Sequence, residues 1–435
     1  MKKAKTIQDL LRVFHQEPLN NETSNFFIET AKGRGENARE SVKQYFFANI
    51  RENKRILFMG HGGSGKSTEL WKVSQELKDT FEVIMFSVTK EADPSDLEYV
   101  DLFFIILNKI IEKAIELNLN INPNLADNLY HYWHDEKFIE KVSFNKKELE
   151  VGAEAKISFL KYFSAHINGL FSYGTESKKV VRDFVKPKEK QLIEGINNLI
   201  LNVNEELLRK YGKRLLIIVD DLEKLNISIA EKIFLTDRKS VISLRAHIIY
   251  SFPIFLHYSA YFTEIENDFD IYVLLAMIKV RQKNGDFYTP GIETIKQIVG
   301  ERCDHQLFDD GVLDFMIDKS GGVLRDVFEM IEDSALRALS NNDKVLMISM
   351  DDVKVSYNKL KSRYIRSINK NQIPLLQELY NDPLKSPISD AGNEFKQLLR
   401  SLAVIEYNAE RWCNLHPAIE DFLREKKILT NTIEV

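Results

Sequence analysis

The sequence predicts an α/β core built on a parallel sheet, followed by a helical region and then by a small domain of helices and two short strands. Three observations indicate this order. Short apolar runs alternate with helical stretches up to residue 290, helical spacing continues to residue 350, and helices followed by a two-strand pattern occupy residues 351–435. At 435 residues the chain is longer than one hydrophobic core usually organises, so several domains are expected.

The composition is that of an ordinary globular protein, with 44% hydrophobic and 29% charged residues. A net charge of −5 gives no overall attraction to nucleic acid, although a local basic face is left open. The only cysteines, Cys303 and Cys413, are far apart and have no C-x-x-C partners, which fits a reducing compartment. Neither a signal-peptide pattern nor an apolar run of about 18 residues occurs, so we expect a cytoplasmic protein without a membrane span.

The most specific motif is G-x-x-x-x-G-K-[ST], which Gly60 to Ser67 match in full. An apolar run precedes the motif and helical spacing follows it, which is the strand–loop–helix context that the motif requires. In such a loop, backbone N–H groups and the N-terminus of the next helix bind phosphate oxygens. We therefore predict a nucleotide site in which Lys66 contacts the β- and γ-phosphates and Ser67 binds Mg²⁺. The other predicted nucleotide contacts are Gly60, His61, Gly62, Gly63, Ser64, Gly65 and Thr68.

A second half of the site is predicted where another apolar strand, residues 215–219, ends in acidic residues. Asp220, at the carboxyl end of that strand, is placed to hold Mg²⁺ directly or through water. Either Asp221 or Glu223 would orient and deprotonate an attacking water, and the sequence leaves these two alternatives open.

Several other segments have the patterns of core elements. Residues 81–88 and residues 271–279 are apolar runs typical of buried strands. Asp93-Pro94-Ser95 is the expected start of a long helix with an apolar stripe. The basic stretch from Lys178 to Lys190 has two interpretations, a solvated insertion or a surface for nucleic acid or a partner.

Five segments together resemble those of bacterial P-loop ATPases of the AAA+ and STAND type: Gly60–Ser67, Asp220–Glu223, Ser251-Phe252-Pro253, Ser320–Arg325 and the tail around Trp412 and His416-Pro417. The resemblance implies ATP and Mg²⁺ as ligands and extends over nearly the whole chain. Only the first two motifs are specific. The doubled aspartate is similar to the STAND version of the acidic strand end.

The resemblance also implies roles for three residues outside the two specific motifs. Ser251, at the end of the strand after the acidic one, would face the γ-phosphate. Arg325, at the start of a lid helix, would swing over the nucleotide and report whether the γ-phosphate is present. Arg34 follows the apolar pair Phe26-Phe27 and would lie near the adenine base, although a solvated surface arginine is the equal alternative.

By the same resemblance we expect four regions. Residues 1–54 would form an N-terminal segment on the adenine side, and residues 55–290 the ATPase core, with an insertion at about 119–190. Residues 291–350 would form a helical lid, and residues 351–435 a winged-helix-like domain. The insertion is expected because the phosphate loop and the acidic strand end lie far apart for a minimal core.

The function that the resemblance implies is an ATP-binding and ATP-hydrolysing switch, slow in turnover, that acts in antiphage defence or signalling as a homo-oligomer or through a separate effector. The alternative is a DNA-binding initiator-like or transposition-like ATPase that grips duplex with residues 394–400 and the basic run 359–370. A non-hydrolysing scaffold is a third hypothesis, which Asp221 and Glu223 disfavour. No guanine-reading N-K-x-D motif follows the acidic strand, which favours ATP over GTP.

Overall fold

The computed structural model describes residues 2–14, 16–122, 125, 175–382, 392–407 and 412–429. The part of the expected insertion between residues 126 and 174 therefore lies outside the described residues.

The core is a five-stranded parallel sheet in the order β2-β3-β4-β1-β5. The strands are β1 (Arg55–Gly60), β2 (Phe81–Ser87), β3 (Arg214–Asp220), β4 (His247–Pro253) and β5 (Ile271–Leu274). The acidic strand β3 and the phosphate-loop strand β1 both pair with β4, which lies between them. Because all five strands run in the same direction, the ends of β1, β3 and β4 meet at one edge of the sheet.

Helices cover both faces of this sheet, which explains why its strands are nearly continuous apolar runs. In β1, Ile56 and Phe58 face a cluster that includes Val73 of the helix after the phosphate loop. Leu57 and Met59 belong to the larger cluster on the opposite face. The alternation along β1 thus separates two apolar layers.

The helices of the core and of the segment before it are α1 (Ile7–Val13), α2 (Ala31–Arg34), α3 (Ala38–Ala48), α4 (Lys66–Leu77), α5 (Val88–Glu91), α6 (Tyr99–Glu116), α7 (Thr175–Val185), α8 (Glu189–Tyr211), α9 (Ile227–Glu231), α10 (Arg238–Val241), α11 (Ile254–His257) and α12 (Phe262–Asp268). Helix α9 continues as a π-helical turn over Lys232–Thr236, and a 3₁₀ turn, Leu222–Lys224, follows β3.

The region predicted to be a lid, which keeps that name below, contains α13 (Thr289–Arg302), α14 (Val312–Ser320) and α15 (Leu324–Asn341). The C-terminal domain contains α16 (Met350–Arg366), α17 (Ile373–Asn381), α18 (Gly392–Arg400), the strands β6 (Val404–Glu406) and β7 (Cys413–Leu415), and α19 (Pro417–Glu425). The two short strands pair antiparallel. The expected helices and ribbon are present, and the domain boundaries and the winged-helix class stay predictions.

Three sequence expectations about elements need correction. The long helix begins at Tyr99, not at residue 93, because Glu98 and Asp101 form its capping box. The strand predicted over 271–279 ends at Leu274, where its pairing with β1 stops.

The basic stretch 178–190 forms parts of α7 and α8, and within it Lys179, Lys186 and Lys190 are exposed, whereas the expected solvation fails for Arg182. Arg182 is buried there and forms ion pairs with Asp96 and Asp101 of the core. The charge of Arg182 is therefore neutralised by acids inside the fold. The sequence alone could not distinguish such a buried, paired cation from a solvated one.

Within the described residues, no helix combines the length and the apolar character that a membrane crossing requires.

Candidate active site

The phosphate loop joins the end of β1 to the first turn of α4. Gly63 and Gly65 have φ of +76° and +95°, a left-handed conformation that favours glycine. The loop is also closely overlaid by the lid, since a methyl group at Gly63 would lie 3.1 Å from Cβ of Arg325. The backbone conformation and the position at a helix N-terminus are those of an anion-binding loop.

Lys66 is 3% exposed and crosses the loop with its side chain. Its Nζ donates to the carbonyl oxygens of Gly60 at 2.9 Å and His61 at 2.8 Å. The same Nζ lies 3.1 Å from Oε1 of Glu223. The predicted phosphate-binding lysine and one of the two predicted water-orienting acids therefore form a buried ion pair.

Asp220 ends β3 next to Ser67, whose side chain hydrogen-bonds to its carboxyl group. Burial, and then the charges of Glu223 and Asp221, raise the pKa of Asp220 to about 7, although hydrogen bonds from Ser67 and from the N–H of Asp221 act in the opposite direction. Carboxylate oxygens of these three acids lie within 4.8 Å of one another. Crowded acids of this kind, next to a serine hydroxyl, have the oxygen ligands that Mg²⁺ prefers.

Asp221 and Glu223 differ in their surroundings, which bears on the alternative that the sequence left open. Asp221 has a left-handed backbone, and its carboxylate accepts hydrogen bonds from Ser87 and Thr89 and pairs with Lys224 at 2.6 Å. Burial alone would raise the pKa of Asp221, but these partners lower it overall. Glu223 has a buried oxygen, Oε2, that has no hydrogen-bond partner. Oδ1 of Asp221 has no hydrogen-bond partner either, but it lies 2.6 Å from Nζ of Lys224. Of the two acids, Glu223 is therefore the one with an oxygen that neither a hydrogen bond nor an ion pair engages.

Ser251 lies in β4 beside the acidic strand, as the sequence predicts for a residue near the γ-phosphate. It is fully buried, and its hydroxyl accepts the N–H of Leu222 at 2.8 Å. In this arrangement Ser251 fixes the backbone of the turn that carries Glu223. Its role as a γ-phosphate sensor stays a prediction.

Arg325 lies in the first turn of α15, directly over the phosphate loop. Its Nη1 would be 3.9 Å from a methyl group built at Gly62. Among the residues that the structure describes, no acid pairs with Arg325, which is half-buried. The structure thus places this lid arginine beside the loop, as the resemblance implies.

Arg34 contacts the phosphate loop from another direction. It is 2% exposed, and its guanidinium donates to Thr30 Oγ1 at 2.8 Å, to Ser64 O at 2.7 Å and to Ala276 O. Burial lowers the pKa of Arg34 to about 10, so the group is still charged at neutral pH. It lines the cleft, but its hydrogen bonds hold the loop, and a contact with a base stays a prediction.

The base end of the cleft is apolar and comes from segments that are distant in sequence. Phe26 and Phe27 line it, as expected from the apolar pair. Ile298, Arg302 and Phe328 line it as well, and sequence reasoning missed them. They lie in α13 and α15, where their helical spacing predicts only core packing.

His61, a predicted nucleotide contact, has a side chain that points to the C-terminal domain. It is 1% exposed, and its Nε2 accepts the backbone N–H of Glu406 in β6 at 2.8 Å. Burial, and secondarily the charge of Lys66, lowers the pKa of His61 to about 3. A neutral histidine therefore joins the phosphate loop to the C-terminal domain, leaving only its backbone for a nucleotide.

The lid also contacts the C-terminal domain through the residue after Arg325. Asp326 is buried and accepts hydrogen bonds from Tyr364 Oη at 2.6 Å and from His416 Nε2 at 3.0 Å. Tyr407 Oη donates to Gly321 O, in the turn before α15, at 2.8 Å. The loop and the lid thus both contact one domain, a connection that no sequence motif indicates.

Helix α18, expected to recognise DNA in the alternative hypothesis, packs against the ATPase core. Lys396 is buried and pairs with Glu231 at 2.8 Å, and the ring of Phe395 lies 5.3 Å from that of Tyr258. In the basic run 359–370, several charges are also paired with acids: Lys359 with Asp333, Lys361 with Glu425, and Arg363 with Asp326 and Glu329. These contacts pair part of the expected basic surface with acids, whereas Arg366, Lys370 and Arg400 are exposed.

No protein-family model matches the chain, and no characterised protein is significantly similar to it in sequence. Among solved structures, the chain is similar to a Walker-type ATPase of Pyrococcus abyssi, with a TM-score of 0.43 and 11% identity over 95% of this chain and 99% of that one. It is also similar to Cdc6p from Pyrobaculum aerophilum, with a TM-score of 0.37 and 11% identity over 95% of this chain and 98% of that one. Similarity at this level does not indicate what the chain binds.

The chain's own topology confirms the predicted P-loop ATPase fold. The phosphate loop follows β1, the acidic residues follow β3, and β4 lies between these two strands in the parallel sheet.

Proposed function

We propose that the chain binds ATP with Mg²⁺ in the cleft beside the phosphate loop and hydrolyses it. The observation that carries this proposal is the meeting of Lys66 and Ser67 with Asp220 and Glu223 at one edge of the sheet. A turn that served only the fold would have no need for a buried lysine, three crowded carboxylates and an overlying arginine.

In this proposal Ser67 and Asp220 hold Mg²⁺, which neutralises negative charge on the phosphate oxygens. The residues fit the ion, because the Ser67 hydroxyl lies beside the Asp220 carboxylate and two further carboxylates, those of Asp221 and Glu223, have oxygens within 4.8 Å. The same raised pKa means that Asp220 must lose a proton before it binds the metal.

Lys66 exchanges its internal partners for the β- and γ-phosphates. The phosphates then compete with Glu223 for the ammonium group of Lys66. Oε1 of Glu223 lies 3.1 Å from Nζ of Lys66. Glu223, freed from this ion pair, orients a water molecule and accepts its proton. Asp221 holds the turn through its hydroxyl and lysine partners rather than acting as the base.

Adenine is the base that we propose, since no guanine-reading N-K-x-D motif follows the acidic strand. The base end would hold it between aromatic and aliphatic side chains and Arg302. The cleft encloses about 160 Å³, whereas ligand sites typically measure about 300–1,000 Å³. We therefore infer that the lid moves when nucleotide enters. Its contacts with the C-terminal domain would transmit that movement, which makes the chain a nucleotide-dependent switch.

The finer hypotheses rest on the resemblance alone. They are a slow turnover, a cytoplasmic location, a homo-oligomer or a separate effector, and a role in antiphage defence. DNA binding is not proposed here, because α18 is packed against the core and several cations of the basic run are paired.

The experiment measures ATP affinity and phosphate release for the wild type, Lys66→Ala and Glu223→Gln. We expect Lys66→Ala to weaken binding by at least about 100-fold. Glu223→Gln should keep ATP bound and slow hydrolysis by about 100- to 10,000-fold. Lys78→Ala is the matched control, since Lys78 is exposed at the other end of α4.

Absence of ATP binding by the wild type would end the proposal. Retained hydrolysis in Glu223→Gln, together with its loss in Asp221→Asn, would transfer the role of base to Asp221. Stable retention of unhydrolysed ATP by the wild type would instead support the scaffold hypothesis.

A further inference from the structure

A second cavity, of about 940 Å³, lies between the ATPase core and the C-terminal domain. Gly60 and Gly62 of the phosphate loop, Glu223 and Arg325 line one part of it, and Gln397 and Arg400 of α18 line another. Glu223 and Arg325 also line the nucleotide cleft. The two cavities therefore share the groups that surround the predicted γ-phosphate position.

Most of the charged side chains around this second cavity are already paired. Glu223 pairs with Lys66 at 3.1 Å, Lys224 with Asp221 at 2.6 Å, and Glu231 with Lys396 at 2.8 Å. Within the described ranges, the two arginines that line the cavity have no acid partner. Two guanidinium groups from different domains thus give this cavity unbalanced positive charge next to the phosphate loop.

The position of Arg400 relative to the acidic turn is fixed. Its Nε donates to the carbonyl oxygen of Leu225 at 3.3 Å, and Leu225 follows Glu223 by two residues. The rest of α18 is held on the core by the ion pair of Lys396 with Glu231 and by the ring contact of Phe395 with Tyr258. With Nε engaged, the two terminal nitrogens of Arg400 are available to a ligand.

We propose that Arg400 contacts the γ-phosphate of bound ATP from the C-terminal domain of the same chain, opposite Arg325. The proposal rests on the proposed ATPase function and assigns a further residue to it. A planar guanidinium donates two parallel hydrogen bonds to phosphate oxygens, and its fixed charge is not lost at neutral pH. Arg400 would stabilise the charge on the γ-phosphate oxygens as the bond to ADP breaks.

The assignment of Arg400 to the γ-phosphate would also give a function to the packing of the C-terminal domain on the core. ADP lacks the group that Arg400 would contact, so only ATP would add a bond between α18 and the nucleotide. The position of the C-terminal domain would then depend on whether the γ-phosphate is present.

The test compares Arg400→Gln and Arg400→Lys with the wild type, using ATP and ADP affinities together with kcat and KM. Arg400→Gln should lower kcat by at least about tenfold and reduce the preference for ATP over ADP by about tenfold. Its ADP affinity should be unchanged. Arg400→Lys should recover part of kcat, because it restores the charge without the planar group.

Two control variants separate this role from a structural one. Lys426→Gln removes one positive charge from an exposed position of the same domain and should change neither kcat nor the preference for ATP over ADP. Lys396→Met breaks the ion pair that seats α18 but keeps Arg400. If Arg400 acted only by holding α18 on the core, Lys396→Met and Arg400→Gln would reduce the free energy of unfolding by similar amounts. In that case Arg400→Lys would not recover kcat.

An unchanged kcat and an unchanged ATP-to-ADP preference in Arg400→Gln would overturn the inference while leaving the ATPase proposal intact. A wild type that binds neither nucleotide would instead overturn the ATPase proposal, and this inference with it.

Discussion

Arg34 and Arg325 both contact the phosphate loop, and they differ in what their donors do. Arg34 is buried, and its hydrogen bonds go to protein oxygens, including Ser64 O in the loop itself. Arg325 approaches the loop at Gly62 and Gly63 and has no acid partner within the described part of the chain.

This difference gives the two arginines different roles: Arg34 supports the loop, and Arg325 is placed to recognise a ligand. A guanidinium whose donors are already used holds the loop in one conformation whether or not nucleotide is bound. A guanidinium with free donors gains hydrogen bonds only when a ligand supplies them, so its contribution depends on the ligand. Arg34 should therefore act on every nucleotide alike, and Arg325 should distinguish among them.

Replacing the supporting arginine should have the largest effect. Arg34→Met removes the donors that hold Ser64 O and Ala276 O, and the loop loses its fixed shape. We expect ATP and ADP affinities to fall together by about 100-fold, which corresponds to about 2.7 kcal/mol. Calorimetric titration with both nucleotides measures this. A fall for ATP alone would contradict the supporting role.

Replacing Arg325 should change the preference for ATP over ADP rather than the affinity for both nucleotides. For Arg325→Met we expect ATP affinity to fall by about 30-fold and ADP affinity by less than about threefold. The matched control is Arg337→Met, because Arg337 lies on the same helix, is 42% exposed and pairs with Asp352. Equal losses for ATP and ADP would remove the distinction between Arg34 and Arg325.

The metal site gives a smaller effect that depends on pH. The folded-state pKa of Asp220 is raised to about 7, above its usual value of 3.8, so a proton competes with the cation below pH 7. Binding of Mn²⁺, used as a paramagnetic probe for Mg²⁺ without nucleotide, should weaken by about tenfold per pH unit below 7 and level off above it. Asp220→Asn should abolish this slope. Affinity that is constant between pH 5.5 and 8 would contradict the assignment.

His61 provides the smallest expected effect. Its folded-state pKa of about 3 lies below its usual value of 6.5, so the stability that neutral His61 contributes is present above pH 6.5 and is lost as pH falls towards 3. Between pH 7 and 5.5 the loss should be about 1 kcal/mol. His247, whose pKa burial lowers to about 4, gives a loss of the same sign in both proteins. Urea unfolding should therefore show a loss that is smaller by about 1 kcal/mol in His61→Gln, which keeps a hydrogen-bond acceptor for Glu406 N–H. Identical pH profiles would exclude His61 as the cause.

Much of the phosphate end could be predicted from the sequence, because its residues are close together in the chain. Lys66 and Ser67 lie in one contiguous motif, and Asp220 and Glu223 follow a strand whose apolar run is unmistakable. Parallel strands bring such ends to the same edge, so the motifs and the expected sheet order placed these groups together. The choice between Asp221 and Glu223 needed the hydrogen bonds of Asp221, which depend on Ser87 at the end of β2 and on Thr89 in α5.

The base end and the domain contacts were not predictable in this way. Arg302 and Phe328 have the spacing of ordinary core residues, and only the packing of the lid brings them to the cleft. The basic stretch around Arg182 was misread because a charged side chain in a sequence does not show whether an acid from a distant segment will bury it.

By itself, the sequence determined the phosphate loop, the acidic strand end and the parallel core, since each depends on local spacing and on the rules of parallel sheets. Only the tertiary structure decided that Arg34 supports the loop, that Arg325 is free, and that His61 and Arg400 join the C-terminal domain to the site. The physical reason is that a donor is used or free according to which acceptors the folded chain brings to it, and these include Ser64 O, 30 residues from Arg34, and His61 Nε2, 345 residues from Glu406.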